Sequence, residues 1–246
     1  MAQGGALHIS CGGIDRFQHM HHIRPYKLFT ALEGPPAQRT VQTTLPSRRA
    51  GGGLTLLEMF SVTAASRIVQ ARQVFEIGTF LGSTTLNLAL NIPDDGTVFT
   101  LDLDKQDAAE ATQDIADEPL TKIHLAAKSA LDFAGSAAES RIRTLTGNST
   151  TFDFSHWYRS MDLVFIDGGH DFATATSDTN NALRMIRKDK ASCVLWHDYR
   201  NGDYSALTYY LDELSRQLPL VHVEDTMLCA WFNDPNGNIW HRLLSA

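Results

Sequence analysis

Four side chains sit where two apolar runs end, and their types suit moving a proton or holding a cation. Asp167 follows the run Asp162–Ile166, and His170 lies three residues further on. His197 and Asp198 follow the run Ser192–Trp196. If both runs are strands of one parallel sheet, both acids stand at the same rim. A neutral imidazole, with an unperturbed pKa of about 6.5, can take a proton from a hydroxyl near neutral pH. A divalent cation held by carboxylates can lower the hydroxyl pKa and fix its direction. Each histidine also has a plainer role. His197 can brace the rim by hydrogen bonding, and His170 can open a helix after the Gly168-Gly169 turn.

A second constellation lies upstream. Residues 74–87 read Val-Phe-Glu-Ile-Gly-Thr-Phe-Leu-Gly-Ser-Thr-Thr-Leu-Asn. A short apolar run closes on an acid and a glycine, a second glycine follows four residues later, and hydroxyl residues open a helical pattern. This is the layout of a nucleoside-binding loop between a strand and a helix. The dinucleotide spacing Gly-x-Gly-x-x-Gly is missing, because only Gly78 and Gly82 are present. Glu76 stands where a phosphate would be repelled, so the loop suits a nucleoside with a cationic tail. Asp102 directly follows the apolar run Thr97–Leu101, where a carboxylate can accept both hydroxyls of a ribose; Asp104 is its local competitor. Gly147, Asn148 and Ser149 follow the run Arg141–Leu145. They suit an adenine edge, and they suit an ordinary turn equally well.

These residues need a frame that brings strand ends together. From Leu54 to Val69 apolar residues recur at helical spacing. Strands are expected at Val74–Ile77, Thr97–Leu101, Arg141–Leu145, Asp162–Ile166, Ser192–Trp196, Leu220–Val223 and Met227–Phe232. Helices are expected at Ser83–Asn91, at two stretches within Lys105–Ser136 divided near Pro119, at Phe172–Arg187 and at Tyr204–Gln217. Alternating strands and helices imply an α/β, doubly wound, mostly parallel seven-stranded sheet. The last two strands lie three residues apart and imply an antiparallel hairpin at its end. Residues 1–53 hold four of the eight prolines and close on three glycines. They read as an irregular N-terminal arm with a short helix around Tyr26–Leu32, covering a site or reaching a second subunit of a homo-oligomer. Residues 54–246 form the cofactor-binding domain.

Bulk properties narrow the class. A chain of 246 residues with 43% hydrophobic and 20% charged residues fits a globular protein. A net charge of −7 without a Lys/Arg stripe argues against nucleic acid as a partner. No apolar run is long enough to span a bilayer, and the N-terminus lacks the features of a secretion signal. Cys11, Cys193 and Cys229 form no disulfide framework, which together points to a cytoplasmic protein.

The chain resembles the class I S-adenosylmethionine-dependent methyltransferases, in the branch of small-molecule O-methyltransferases that includes catechol- and sugar-modifying enzymes. The resemblance rests on Phe75-Glu-Ile-Gly-Thr-Phe-Leu-Gly-Ser-Thr, Phe99-Thr-Leu-Asp-Leu-Asp, Thr146-Gly-Asn-Ser, Asp162-Leu-Val-Phe-Ile-Asp-Gly-Gly-His and Val194-Leu-Trp-His-Asp-Tyr. It covers about Leu54 to Phe232. It implies a Rossmann-like fold and S-adenosyl-L-methionine as cofactor, held by Glu76, Gly78, Thr79, Gly82, Ser83, Thr84, Asp102, Asn148, Ser149 and Asp167. In that reading Glu76 offsets the charge of the cofactor's methionine portion, directly or through water. It further implies His170 as base with Asp167 beside it, a small hydroxylated acceptor, and a divalent cation (Mg²⁺ or Mn²⁺) at Asp167, His197 and Asp198.

His197 departs from that pattern, since metal-binding relatives often carry an acid there. Imidazole is a poor Mg²⁺ ligand and a better one for Mn²⁺, Fe²⁺ or Zn²⁺. Either a softer metal is used, His197 points elsewhere, or no metal binds. In the arm, His8, Cys11, His19, His21 and His22 match no standard ligand spacing, and a polar surface or subunit contact is the simpler reading. Two other functions stay open: a nicotinamide-dependent oxidoreductase on a related sheet, and a non-catalytic binding protein that keeps the fold.

Overall fold

The computed structural model describes residues 20–32, 34–44, 53–103 and 131–245. In chain order these form β1 (His21–Ile23), α1 (Pro25–Thr30), α2 (Pro36–Arg39), α3 (Leu56–Ile68), β2 (Gln73–Ile77), α4 (Ser83–Asn91) and β3 (Thr97–Asp102). There follow β4 (Ile142–Thr146), β5 (Leu163–Ile166), α5 (Phe172–Met185), β6 (Ser192–Trp196), α6 (Ser205–Ser215), β7 (Val221–Val223), β8 (Leu228–Asn233) and α7 (Asn238–Leu244).

The sheet runs β1-β7-β8-β6-β5-β2-β3-β4, with β8 antiparallel to both its neighbours and the other pairings parallel. Residues of β5 and β6 are buried throughout, because both strands are covered on two faces. The strand order reverses between β2 and β5. The cleft beyond the carboxyl ends of such a pair is where open α/β sheets bind ligands. Here that places Gly78 and Asp167 side by side, with the Asp167 N–H donating to the Ile77 carbonyl at 2.8 Å.

The sheet has eight strands where seven were expected. The added strand is His21–Ile23, from the segment read as an irregular arm, and it pairs in parallel with β7. Three residues ending just before Pro25 are too short to show a period-two pattern. Pairing supplies the strand conformation: His21 donates to Leu220 O at 3.0 Å and Glu224 to Ile23 O at 2.8 Å. The short helix expected next is present as α1, which packs against α3 and α7.

The two helices expected within Lys105–Ser136 fall largely outside the described residues, as do Asp104, His8, Cys11 and His19. The described part of that stretch, 131–136, forms turns rather than helix. Helix starts are set locally. Thr55 and Glu58 form a reciprocal capping box at α3, and Asp171 caps α5 by accepting from the N–H groups of Ala173 and Thr174. Phe75, Phe99, Phe152, Phe154 and Trp157 form one aromatic cluster packed on β2 and β3. Cys193 and Cys229 are buried free thiols. Among the described residues no helix is long and apolar enough to cross a membrane.

Candidate active site

The loop after β2 is shaped by positive φ angles at Gly78 (+98°), Phe80 (+47°) and Gly82 (+82°). Gly78 is required by close approach of the protein's own backbone: a Cβ there would lie 2.0 Å from the Asp167 carbonyl oxygen. At Gly82 a Cβ would lie 2.7 Å from the Phe133 ring. Gly82 is also the left-handed residue that starts α4, so Ser83 and Thr84 occupy a first turn whose backbone N–H groups lack intrahelical partners.

Asp102 ends β3 and is tied to this loop. One carboxylate oxygen accepts from the Phe80 N–H at 3.1 Å and the other from the Leu103 N–H at 2.8 Å. A carboxylate oxygen can accept a second hydrogen bond, so this arrangement suits a diol. Thr79 is buried, with its hydroxyl 2.6 Å from that of Thr100. Asn148 turns its side-chain oxygen back to Thr150, at 3.0 Å from the N–H and 2.7 Å from the hydroxyl, which is turn chemistry. Ser149 is half-buried beside it.

Glu76 lies beneath the loop rather than on the open rim, with no exposed surface. Oε2 accepts from the hydroxyls of Thr100 at 2.6 Å and of Thr85. Oε1 has no hydrogen-bond partner among the described residues. Burial pushes this carboxyl up to about 8, against the bonds from Thr100 and Thr85 and with Asp167 and Asp102 adding to the rise.

A raised carboxyl pKa gives a signed prediction. Between the unfolded value near 4.5 and the folded value near 8 the folded chain holds the extra proton. Stability from this group is therefore full below about 4.5 and is lost as pH rises through 8. The Glu76→Gln variant should show a shallower fall of melting temperature between pH 5 and pH 9 than the parent chain. Identical slopes in a thermal melt series would refute this. Glu58, held down at about 2, loses its contribution only in acid and leaves this window alone.

The second half of the site joins three loops. His170 Nε2 is 2.9 Å from Asp198 Oδ2, and the His170 ring stacks on Tyr204 at 3.8 Å between centroids with the planes 6° apart. Asn201 donates to Asp198 Oδ1 at 2.7 Å. His197, almost wholly buried, sets Nδ1 3.0 Å from Asp167 Oδ1 and 3.1 Å from Asp198 Oδ2. Its Nε2 lies 3.6 Å from Glu58 Oε1. Glu58 itself is fixed by the N–H groups of Met227 and Thr55, each at 2.8 Å.

Charge follows from this geometry. Burial alone would strip the His197 proton, but Asp167, Asp198 and Glu58 outweigh it and keep the imidazole protonated well above neutrality. Burial would likewise raise Asp198, but its bonds from His170 and His197 hold it ionised, well below the carboxylate range. An ionised Asp198 must be the acceptor, so the N–H at His170 Nε2 donates to it.

Asp167, His170 and Asp198 bring one ligand atom each within 4.8 Å of one another, a set that can hold a metal ion. Two carboxylates and an imidazole suit Mn²⁺ or Zn²⁺ better than Mg²⁺. His197 stands as the hydrogen-bond partner of both carboxylates. Glu58, Asn201 and Tyr204 join the site although no residue pattern assigned them individual roles in it. Glu58 left a usable signal in the Thr55-x-x-Glu58 capping pattern; Asn201 and Tyr204 lie in the 199–204 loop, which was expected only to help shape the acceptor pocket.

Known proteins share this frame. The structure is similar to three solved ones. The first is the O-methyltransferase TomG of tomaymycin synthesis from Streptomyces achromogenes, in complex with S-adenosylmethionine (16% identity, 73% of this chain and 81% of that one, TM-score 0.50). The second is described as a candidate caffeoyl-CoA O-methyltransferase from Staphylococcus aureus (16%, 77% and 85%, TM-score 0.52). The third is an S-adenosylhomocysteine-bound methyltransferase from Podospora anserina (14%, 88% and 91%, TM-score 0.54). At these identities the likeness concerns the fold. A family model described as a methyltransferase domain matches residues 75–199, half of the chain. The chain belongs to this methyltransferase family.

Proposed function

We propose that the protein transfers a methyl group from S-adenosyl-L-methionine to a hydroxyl of a small molecule. The observation that carries this reading is the convergence of two half-sites on the β2–β5 cleft: the Gly78–Gly82 loop with Asp102 on one side, and the His170–Asp198 pair on the other. Asp102 would hold the ribose. The loop backbone and the first turn of α4 would hold the methionine portion, and Asn148 and Ser149 would flank the adenine. The cofactor, when bound, supplies a methyl carbon already activated by a sulfonium.

What remains for the protein is to orient an acceptor oxygen and remove its proton. His170 would do the second, with Asp198 holding its Nε2 side and Tyr204 fixing the plane of its ring. The buried His197 cation keeps Asp167 and Asp198 from repelling each other. A cavity of about 310 Å³ opens between α6, β1 and the loop after β6, lined among others by Met20, His22, Tyr199 and Arg200.

The donor set of Asp167, His170 and Asp198 favours one second reading, in which a divalent cation lowers the acceptor's pKa and His170 is a ligand. One assay addresses both. Formation of S-adenosylhomocysteine is followed with a panel of sugars, phenols and hydroxy acids, before and after EDTA. Turnover that survives EDTA is the expected result for a histidine base. Activity abolished by EDTA and restored by Mn²⁺ assigns the metal reading. Cofactor binding without turnover on any acceptor would contradict the proposed transfer.

A further inference from the structure

Asp178 is an acid on the buried face of α5, between Ala175 and Ala182, with no exposed surface. Neither carboxylate oxygen has a hydrogen-bond partner among the described residues. A purely structural side chain at this position would be apolar, since leaving a buried carboxyl unsatisfied is costly. Its surroundings indicate why an acid stands here. A Cβ on Gly168 would lie 3.4 Å from Asp178 Oδ2, so the carboxyl lies directly beneath the turn between Asp167 and His170. Ser149, on the loop after β4, is its other polar neighbour; its hydroxyl lies near the carboxyl without meeting hydrogen-bond geometry, and burial, with Asp171 adding to it, raises the carboxyl to about 7 against that hydroxyl. Thr179, next along the helix, is tied to the Trp196 indole at 2.9 Å, which holds this stretch of α5 against β6.

We propose that Asp178 is a positioning residue that couples the two halves of the site. Its carboxyl lies behind both the Asn148–Ser149 loop and the Gly168–His170 turn, and it takes hydrogen bonds from their N–H and O–H groups when the cofactor's adenosyl portion seats against them. Cofactor occupancy thereby sets the position of His170. The inference rests on the reading of the site as one for S-adenosylmethionine. Gly168 and Gly169 serve it: the turn must approach the α5 side chains closely, and a Cβ on Gly169 would lie 2.9 Å from Thr174 Cγ2.

The test uses the whole chain, as parent, Asp178→Asn and Asp178→Leu, with S-adenosylhomocysteine as the probe. Three quantities are read: ligand-free melting temperature at pH 8, calorimetric Kd, and amide hydrogen exchange over residues 168–171 with and without saturating probe. The parent should bind and show slowed exchange at these amides. Asp178→Leu should melt no lower than the parent, bind at least 10-fold more weakly, and lose the slowing at saturation; Asp178→Asn should fall between the two. Unchanged Kd and unchanged exchange response in Asp178→Leu would overturn the proposal. So would a lowered melting temperature in both variants, which would mark a structural role. A parent chain that fails to bind the probe is a separate result and removes the cofactor reading itself.

Discussion

Replacing His170 by alanine should lower kcat by about 10²- to 10⁴-fold, the range expected for loss of a positioned general base, while the Kd for S-adenosylhomocysteine stays within about twofold. The split follows from where the side chain stands. His170 is bonded to Asp198 and stacked on Tyr204, whereas the residues assigned to the cofactor gather around Gly78–Gly82 and Asp102. Asp198→Asn should share much of the loss, because an amide can donate to His170 and no longer fixes the Nε2–H tautomer. Single-turnover rates measured beside calorimetric affinities check this. Wild-type turnover in the alanine variant would remove His170 from the mechanism, and a matching loss of cofactor affinity would move it into the binding site.

The largest stability effect should come from Gly78→Ala. The added Cβ would meet the Asp167 carbonyl oxygen at 2.0 Å and its carbon at 2.6 Å, and both are backbone atoms just past the end of β5. No side chain can rotate away to make room. Two adjacent parallel strands would have to separate at the cleft, on top of the cost of φ +98° for a residue with a Cβ. We expect a loss of more than about 4 kcal/mol, the range reserved for severe core disruption, or no folded protein at all. Gly237→Ala is the control. Its φ is +70°, and nothing lies within 4 Å of an added Cβ, so only about 1–2 kcal/mol of backbone strain applies. Comparable melting temperatures for the two variants would show that the approach of Asp167 to Gly78 is not the constraint.

Most of this site could be read before the structure because its residues are punctuation. Gly78, Asp102, Asp167 and Asp198 each close or follow an apolar run, and in a parallel sheet such carboxyl ends share one rim. The strands expected there match β2 to β6 to within a residue or two; β2, β5 and β6 lie inside the sheet and leave nearly continuous apolar stretches, while the edge strand β4 is mostly exposed. What escaped depends on contacts distant in sequence. β1 is a strand only because β7 offers an edge. Glu58 looks like a helix-capping acid, and nothing local says that its other oxygen reaches Met227 and His197, on loops 169 and 139 residues away. The depth of Glu76 was hidden for a related reason. An acid at a strand end reads as rim, yet Thr85 and Thr100, from α4 and β3, close over it. His197 was visible as an anomaly, and its structural basis is that three carboxylates surround it.

The proposed transfer requires a nucleoside cofactor lying across the cleft between the glycine loop and the His170 turn. Calorimetric titration of the intact chain with S-adenosylhomocysteine, alongside Asp102→Ala, tests this most directly. The predicted result is saturable binding of one molecule per chain, weakened at least tenfold by the loss of the carboxylate. Absence of binding heat in the parent, or equal affinity in the variant, would contradict it.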